Sequence, residues 1–110
     1  MQISVKTINK VKVVEIEGKL NTRSAPDAEK QLARLIESGE KRILVNLEKL
    51  EYVSSSGLRV LLAAAKKLNA SDGELRICGV KGFVEEIFQI SGFSTIFTIY
   101  ENETEALKGF

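Results

Sequence analysis

The chain has 110 residues, a formal net charge of +1, 44% hydrophobic and 28% charged residues, a composition typical of one soluble globular domain. The absence of histidine excludes Ser-His and Cys-His nucleophilic catalysis and most zinc sites, and the single cysteine, Cys78, excludes an intramolecular disulfide. Interspersed charges and few aromatic residues argue against direct nucleic-acid binding. We therefore expect no metal site, no cofactor and no nucleic-acid partner.

The hydrophobic runs are too short for a membrane protein. The longest uninterrupted apolar stretch, Val60 to Ala65, is far below the ~20 residues that span a bilayer, and the N-terminus has no signal-type apolar block. The sequence thus predicts a cytoplasmic protein without a membrane partner.

The first elements are predicted to form a β-hairpin. Apolar residues alternate with polar ones from Ile3 to Thr7, and a short turn leads into a second strand from Val11 to Ile16, which Gly18 is expected to end. In this strand the apolar positions change phase between Val13 and Val14. The change indicates either a β-bulge or burial on both faces.

A helix and a buried strand follow. Ser24 is the predicted N-cap, with Pro26 in the first turn, and Gly39 is the predicted stop. The apolar stripe of this helix consists of Ala28, Leu32, Leu35 and Ile36. The third strand, Ile43 to Leu47, is almost entirely apolar and is expected inside the sheet.

The second half continues the alternation. A helix is predicted from Ser55 to Asn69, then a strand from Glu74 to Cys78, in which a buried structural thiol is expected. A strand from Thr95 to Tyr100 and a last short helix capped by Asn102 end the chain. A predicted core helix with apolar residues Phe83, Val84, Ile87, Phe88 and Ile90 lies between the strand from Glu74 to Cys78 and the strand from Thr95 to Tyr100.

The order β-β-α-β-α-β-α-β-α predicts one α/β domain over residues 1–110. Its mixed sheet should combine the N-terminal hairpin with parallel strands joined by right-handed helix crossovers, with about four helices in all. No internal repeat or linker interrupts the chain.

Three adjacent serines, Ser54, Ser55 and Ser56, stand where a strand-loop segment turns into the second helix. Free backbone N–H groups and the positive end of the helix dipole favour a capping oxygen or an anion there. A cap explains Ser54 without invoking any function. It leaves the other two serines unexplained.

The outer face of this helix is unusually apolar. At 100° per residue, Val60, Ala63 and Ala64 lie opposite the predicted core face of Leu58, Leu61, Leu62, Ala65 and Leu68. Either another part of the chain covers this face or a partner protein docks there. The same wheel directs Ser56 outward and Ser55 toward the core edge, beside Arg59.

Three segments resemble the anti-sigma factor antagonists, the bacterial members of the STAS domain family. The segment 44–60, Leu-Val-Asn-Leu-Glu-Lys-Leu-Glu-Tyr-Val-Ser-Ser-Ser-Gly-Leu-Arg-Val, resembles the family's phosphorylation site. Gly18-Lys-Leu-Asn21 resembles its Gly-x-Leu-Asp element, and the segment from Phe83 to Phe93 resembles its late helix ending in Ser-Gly-Leu. Nearly the whole chain is covered in the right order.

The resemblance implies that Ser55 is the phosphoacceptor, because it aligns with the serine that follows the aspartate in the best-known members. Ser54 stands where those members have the aspartate, and Asn21 likewise replaces an acid. Ser56 is the second choice for the phosphoacceptor. The implied partner-binding residues are Asn21, Ser54, Ser56, Gly57, Arg59, Val60, Ala63 and Ala64.

The function implied is that of a regulator rather than an enzyme. No histidine is present to activate a serine as a nucleophile, and the upstream carboxylates Glu48 and Glu51 are more simply the polar part of a loop. When unphosphorylated, such a protein binds an anti-sigma factor, which is also the serine kinase, and frees the sigma factor; a phosphatase would reset the site. The alternative is a STAS scaffold that works in a larger signalling complex without phosphorylation. The sequence leaves both interpretations open.

Overall fold

The computed structural model describes residues 1–110 and contains six strands and four α-helices. Each element has a counterpart in the hydrophobic patterning of the sequence except the fourth strand. In chain order the elements are β1 (Gln2–Ile8), β2 (Val11–Leu20), α1 (Ala25–Glu37), β3 (Arg42–Asn46), β4 (Leu50–Val53), α2 (Ser55–Ala70), β5 (Glu74–Cys78), α3 (Gly82–Ile90), β6 (Ile99–Tyr100) and α4 (Glu103–Leu107).

The strands form one mixed sheet in the order β1-β2-β3-β5-β6, and β4 pairs with β2. The β1–β2 hairpin is antiparallel, whereas every other pairing is parallel. The predicted fold class is therefore confirmed: one α/β domain with an N-terminal hairpin, parallel crossovers and four helices.

Strand β2 is buried on both of its faces, which explains its phase change. Val14 and Ile16 belong to the main core, whereas Val11 and Val13 belong to a smaller core on the opposite face, beneath α4. The prediction that Gly18 ends the strand is wrong. The strand continues to Leu20 through a register shift between Gly18 and Lys19, and Gly18 has a φ of 92°, which favours glycine.

The segment before the serines is a strand, β4, and not the loop that the sequence predicted. Its end residues Leu50 and Val53 are buried in the main core, while Glu51 and Tyr52 between them are exposed. Four residues with that arrangement do not alternate strictly, so periodicity alone missed the strand. Its parallel partner is the stretch of β2 from Gly18 to Leu20.

The last strand is shorter than predicted. Instead of a strand from Thr95 to Tyr100, a 3₁₀ turn covers Phe93–Thr95, and only Ile99–Tyr100 pair with β5. Phe93 and Phe97 both pack on Phe88 of α3, with ring centroids 6.4 and 6.3 Å from it. Burial of these rings outweighs the β-propensity of the segment.

Helix α3 buries only part of its predicted apolar face. Val84 and Phe88 are buried in the main core, as predicted. Phe83 and Ile90 are 54% and 86% exposed, so their assignment to the core is wrong. Phe83 instead stacks on the exposed ring of Tyr52 in β4.

Arg76 holds α4 onto the second face of the sheet, a role that the sequence analysis missed. It is only 8% exposed, and its guanidinium donates to the backbone oxygens of Ala106, Lys108 and Gly109 at 2.9, 2.9 and 3.1 Å. It also bonds Glu74 at 2.9 Å. Its guanidinium carbon lies over two rings, those of Tyr100 and Phe110. Four of the five N–H donors of this buried cation therefore have an acceptor within the chain.

Candidate functional site

The three serines lie at the edge of the sheet where the parallel strands have their carboxyl ends. The helices α1, α2 and α3 begin there, each following a strand. The backbone N–H of Ser54 donates to the carbonyl oxygen of Leu20 at 2.9 Å, and Asn21 comes directly after Leu20. The starts of α1 and α2 are consequently adjacent.

Ser54 is the N-cap of α2, as its position predicted. Its backbone is extended, with φ −92° and ψ 172°, and its Oγ accepts a hydrogen bond from the Gly57 N–H at 3.2 Å. This bond satisfies one of the orphan donors of the first turn. The Ser54 hydroxyl is therefore committed to holding the start of the helix.

Ser55 and Ser56 differ in exposure, and the helical wheel assigned them the wrong way round. Ser55 is exposed, and its hydroxyl makes no hydrogen bond within the chain. Ser56 is half-buried, its Oγ lying 3.3 Å from the Thr22 Oγ1 and 3.5 Å from an Arg59 guanidinium nitrogen. Ser56 shares the outer face of α2 with Val60, and Thr22 from the turn before α1 contacts it, so a wheel that treats this face as open to solvent misjudges its exposure.

Gly57 is a packing residue and not part of an exposed surface. A Cβ at this position would lie 2.8 Å from the Leu20 Cγ and carbonyl oxygen, and 2.9 Å from a Val53 methyl carbon. The glycine thus lets α2 start in direct contact with the ends of β2 and β4. This residue, predicted to contact the partner, is buried and presents little surface to another protein.

Asn21 caps the turn that precedes α1. Its Oδ1 accepts hydrogen bonds from the N–H groups of Arg23 and Ser24 at 3.0 and 3.1 Å. Ser24 stands at the N-cap position of α1 but has helical dihedrals and makes no side-chain cap bond to the helix, so the predicted capping bond is absent. An asparagine oxygen accepts such bonds as an aspartate would, without the charge. Asn21 remains half-buried beside the serines.

The outer face of α2 is covered by α1, which settles one alternative left open by the sequence. Val60 and Ala64, both predicted to contact the partner, are each only 5% exposed, whereas Ala63 is exposed. Between the two helices runs a shallow groove of about 530 Å³. We call it the α1–α2 groove; its lining is Thr22, Ala25, Pro26, Glu29, Ser56, Arg59, Val60 and Ala63.

The electrostatics at the N-terminus of α2 favour a negative charge. The first turn of α2 contains no acidic residue, and the N–H groups of Ser55 and Ser56 have no backbone acceptor. Arg59 is exposed one turn further along the helix. Free N–H groups, an uncompensated helix dipole and a nearby cation together suit an anion at Ser55.

The remaining reactive side chain is inert. Cys78 is fully buried, and burial together with the charges of Glu103 and Glu48 raises the pKa of its thiol to about 12. A thiol with that pKa is almost entirely protonated at neutral pH and is a poor nucleophile. No cluster of three or more metal-ligating side chains is present, and no helix is long and apolar enough to cross a bilayer.

These features define a small α/β domain whose distinctive site is an accessible hydroxyl at a helix N-terminus. The family model of the STAS domain matches residues 2–106, and the chain belongs to that family. The BtrV protein of Bordetella bronchiseptica, named as an anti-sigma factor antagonist, is 36% identical over 110 residues, covering 100% of this chain and 95% of the relative. The anti-sigma-B factor antagonist of Staphylococcus aureus is 32% identical, covering 92% and 94%.

Solved structures agree on the fold. An anti-sigma factor antagonist from Mycobacterium paratuberculosis matches with a TM-score of 0.90 at 20% identity, covering 97% of this chain and 91% of the other. The phosphorylated form of SpoIIAA from Bacillus matches with a TM-score of 0.77 at 21% identity, covering 97% of each chain. The family model and the curated relatives show that the chain belongs to the anti-sigma factor antagonist family of STAS domain proteins.

Proposed function

We propose that this chain binds an anti-sigma factor while Ser55 is unphosphorylated, and that phosphorylation of Ser55 ends the complex. The kinase is the anti-sigma factor itself, and a phosphoserine phosphatase restores the hydroxyl. The relatives named above are antagonists of anti-sigma factors, and SpoIIAA, a structural neighbour, has a phosphorylated form. The chain acts in the cytoplasm, where sigma factors engage RNA polymerase.

One observation carries the choice of residue. Of the three serines, only Ser55 is both exposed and free of hydrogen bonds, since Ser54 caps α2 and Ser56 contacts Thr22 and Arg59. A kinase needs a hydroxyl that it can reach and that has no structural bond to lose. Ser55 meets both conditions without any change in the fold.

The effect of the phosphoryl group follows from its charge. Phosphorylation adds about two negative charges at pH 7. Within the chain this charge meets the free N–H groups of Ser55 and Ser56, so α2 remains folded. A partner surface that fits a neutral hydroxyl must instead desolvate a dianion, and each ~1.4 kcal/mol of that cost lowers the affinity tenfold.

The partner surface consists of Ser55, the adjacent Asn21 and Ser56, and the exposed rim of the α1–α2 groove at Arg59 and Ala63. All of these side chains are exposed or half-buried, and Ser56, Arg59 and Ala63 line the groove. A partner seated here senses the change at Ser55 directly. No movement inside the domain is required.

The test is phosphorylation of the purified chain by the serine-kinase anti-sigma factors of its own organism with ATP, followed by intact mass measurement. We expect one phosphoryl group on the wild type and on Ser56→Ala, and none on Ser55→Ala. In a binding assay Ser55→Ala should bind as the unmodified chain does, and Ser55→Asp at least tenfold more weakly. Phosphorylation of Ser55→Ala at unchanged stoichiometry would assign the site to another residue, with Ser56 next in line.

A second candidate is a scaffold that is never phosphorylated. The observation that favours it is the missing acids, because Asn21 and Ser54 form the two caps without supplying charge. It predicts no mass change with any anti-sigma kinase, and equal binding of Ser55→Ala and Ser55→Asp to the signalling complex.

A further inference from the structure

Two exposed aromatic side chains stack on each other close to the serines. The rings of Tyr52 in β4 and Phe83 in the first turn of α3 have centroids 5.9 Å apart and planes inclined by 16°. Tyr52 is 36% exposed and Phe83 54%. We call these two residues the aromatic pair. Helix α3 is anchored in the core through Val84 and Phe88, so the exposed rings are not explained by core packing alone.

The aromatic pair lies within the area that a kinase must cover to reach Ser55. Tyr52 precedes Ser55 by three residues, so their Cα atoms are at most about 11 Å apart. A standard interface of about 800 Å² per partner corresponds to a disc of about 16 Å radius. A protein centred on the Ser55 hydroxyl therefore reaches Tyr52 and, through the stacked ring, Phe83.

We propose that the aromatic pair is an anchor for the anti-sigma factor, which places an apolar side chain on it while covering Ser55. This inference rests on the proposed function. Stacked rings have little side-chain entropy left to lose, and exposed aromatic residues near the centre of an interface commonly dominate its affinity. The pair extends from β4 and α3, whereas the α1–α2 groove approaches the first turn of α2 from α1.

This arrangement also explains why a single phosphoryl group is an effective switch. A partner that contacts both the aromatic pair and the rim of the α1–α2 groove covers Ser55 within the interface. Ser55 is then away from the solvated edge of that interface. A dianion inside the contact area loses its hydration, whereas one at the margin keeps it and is screened. The anchor thus determines how strongly the partner responds to the charge.

The test is a calorimetric titration of the unphosphorylated chain with the anti-sigma factor that phosphorylates it. Tyr52→Ala and Phe83→Ala should each weaken binding at least tenfold, and the double variant by less than the product, because the two rings act as a unit. Ile96→Ala is the matched control. Ile96 is 55% exposed but lies beside the C-terminal half of α2, a helix about 24 Å long, so its removal should change affinity less than twofold.

Ser55→Asp is measured in the same series, so that the two proposals fail separately. If Ser55→Asp binds weakly while both aromatic variants bind like the wild type, the anchor is wrong and the switch stands. If the wild type is neither bound nor phosphorylated, both are wrong. If the aromatic variants lose self-association in sedimentation but keep affinity for the anti-sigma factor, a second copy occupies the pair and the anchor is again wrong.

Thermal melting of each variant checks that it is folded before its affinity is interpreted. Should Phe83→Ala fail to fold, Phe83→Lys is measured instead, since its methylene stem retains contact with Tyr52 and only the apolar surface offered to the partner is lost. Unchanged affinity of a folded Phe83→Lys would overturn the anchor.

Discussion

The first turn of α2 and the clamp around Arg76 treat polar groups in opposite ways. At the clamp, a buried guanidinium bonds three backbone oxygens and a carboxylate, and two rings enclose it. At α2, the exposed Ser55 hydroxyl and two N–H groups bond nothing in the chain. Groups whose bonding is complete within the chain stabilise the fold, whereas accessible groups with bonding capacity left over are available to another molecule.

The largest effect should come from breaking the clamp. Arg76→Ala removes the charged donor from three backbone carbonyl oxygens and leaves α4 without its main anchor, so we expect a loss of about 3 kcal/mol in the free energy of unfolding. Urea denaturation measures it. Arg59→Ala, an exposed arginine near the serines, is the control and should cost less than about 0.5 kcal/mol. Equal losses for the two variants would contradict the comparison.

The next effect should come from adding one carbon atom beneath the serines. Gly57→Ala places a Cβ 2.8 Å from Leu20, and we expect a net loss of about 1–2 kcal/mol, since overpacking exceeds the gain in helix propensity. The measurement is again urea denaturation. Ser55→Ala, with nothing to lose inside the chain, should stay within about 0.5 kcal/mol of the wild type. A Gly57→Ala variant as stable as the wild type would show that α2 can shift freely.

A smaller effect separates Ser54 from its neighbour. Ser54→Ala removes the cap bond to Gly57 and should cost about 1 kcal/mol, whereas Ser54→Asp keeps an acceptor and should match the wild type or exceed it slightly. Thermal melting of the two variants tests this difference. If alanine and aspartate behave alike, the Ser54 oxygen does not stabilise the helix.

The effect that is smallest at neutral pH concerns Cys78, because it appears only at alkaline pH. Because burial raises the thiol pKa from 9.0 to about 12, the unfolded chain loses this proton first, and stability present below pH 9 is lost as the pH rises toward 12. The loss is about 0.4 kcal/mol at pH 9 and then grows by about 1.4 kcal/mol per pH unit. The Cys78→Ala variant has no thiol and therefore lacks this pH-dependent loss of stability. The difference in stability between wild type and variant should therefore shrink above pH 9, and a constant difference would contradict the assignment.

The sequence predicted the fold because most elements show strong periodicity and clear end signals. It missed β4, whose four residues are too few to establish a period, and it overextended the last strand, where packing of Phe93 and Phe97 prevailed over local propensity. Such short segments depend on tertiary contacts that a single sequence does not reveal.

The location of the candidate site could be predicted from the sequence, but the exposure and contacts of its individual residues could not. The three serines and the helix start were visible in the sequence, and the cap at Ser54 follows from its position. A helical wheel treats every unoccupied face as solvent, so it could not reveal that α1 covers Val60 and Ala64. Nor could it rank Ser55 against Ser56, since that depends on Thr22, which is distant in sequence.

The hydrogen bond from the Ser54 N–H to the Leu20 carbonyl oxygen joins the segment that leads into α1 to the segment that leads into α2. Side chains around this hydrogen bond can be exchanged with a modest loss of stability. An inserted or deleted residue between Leu50 and Ser54 would instead misalign the starts of both helices. Natural variation here should therefore alter the chemical character of residues and preserve the spacing between them.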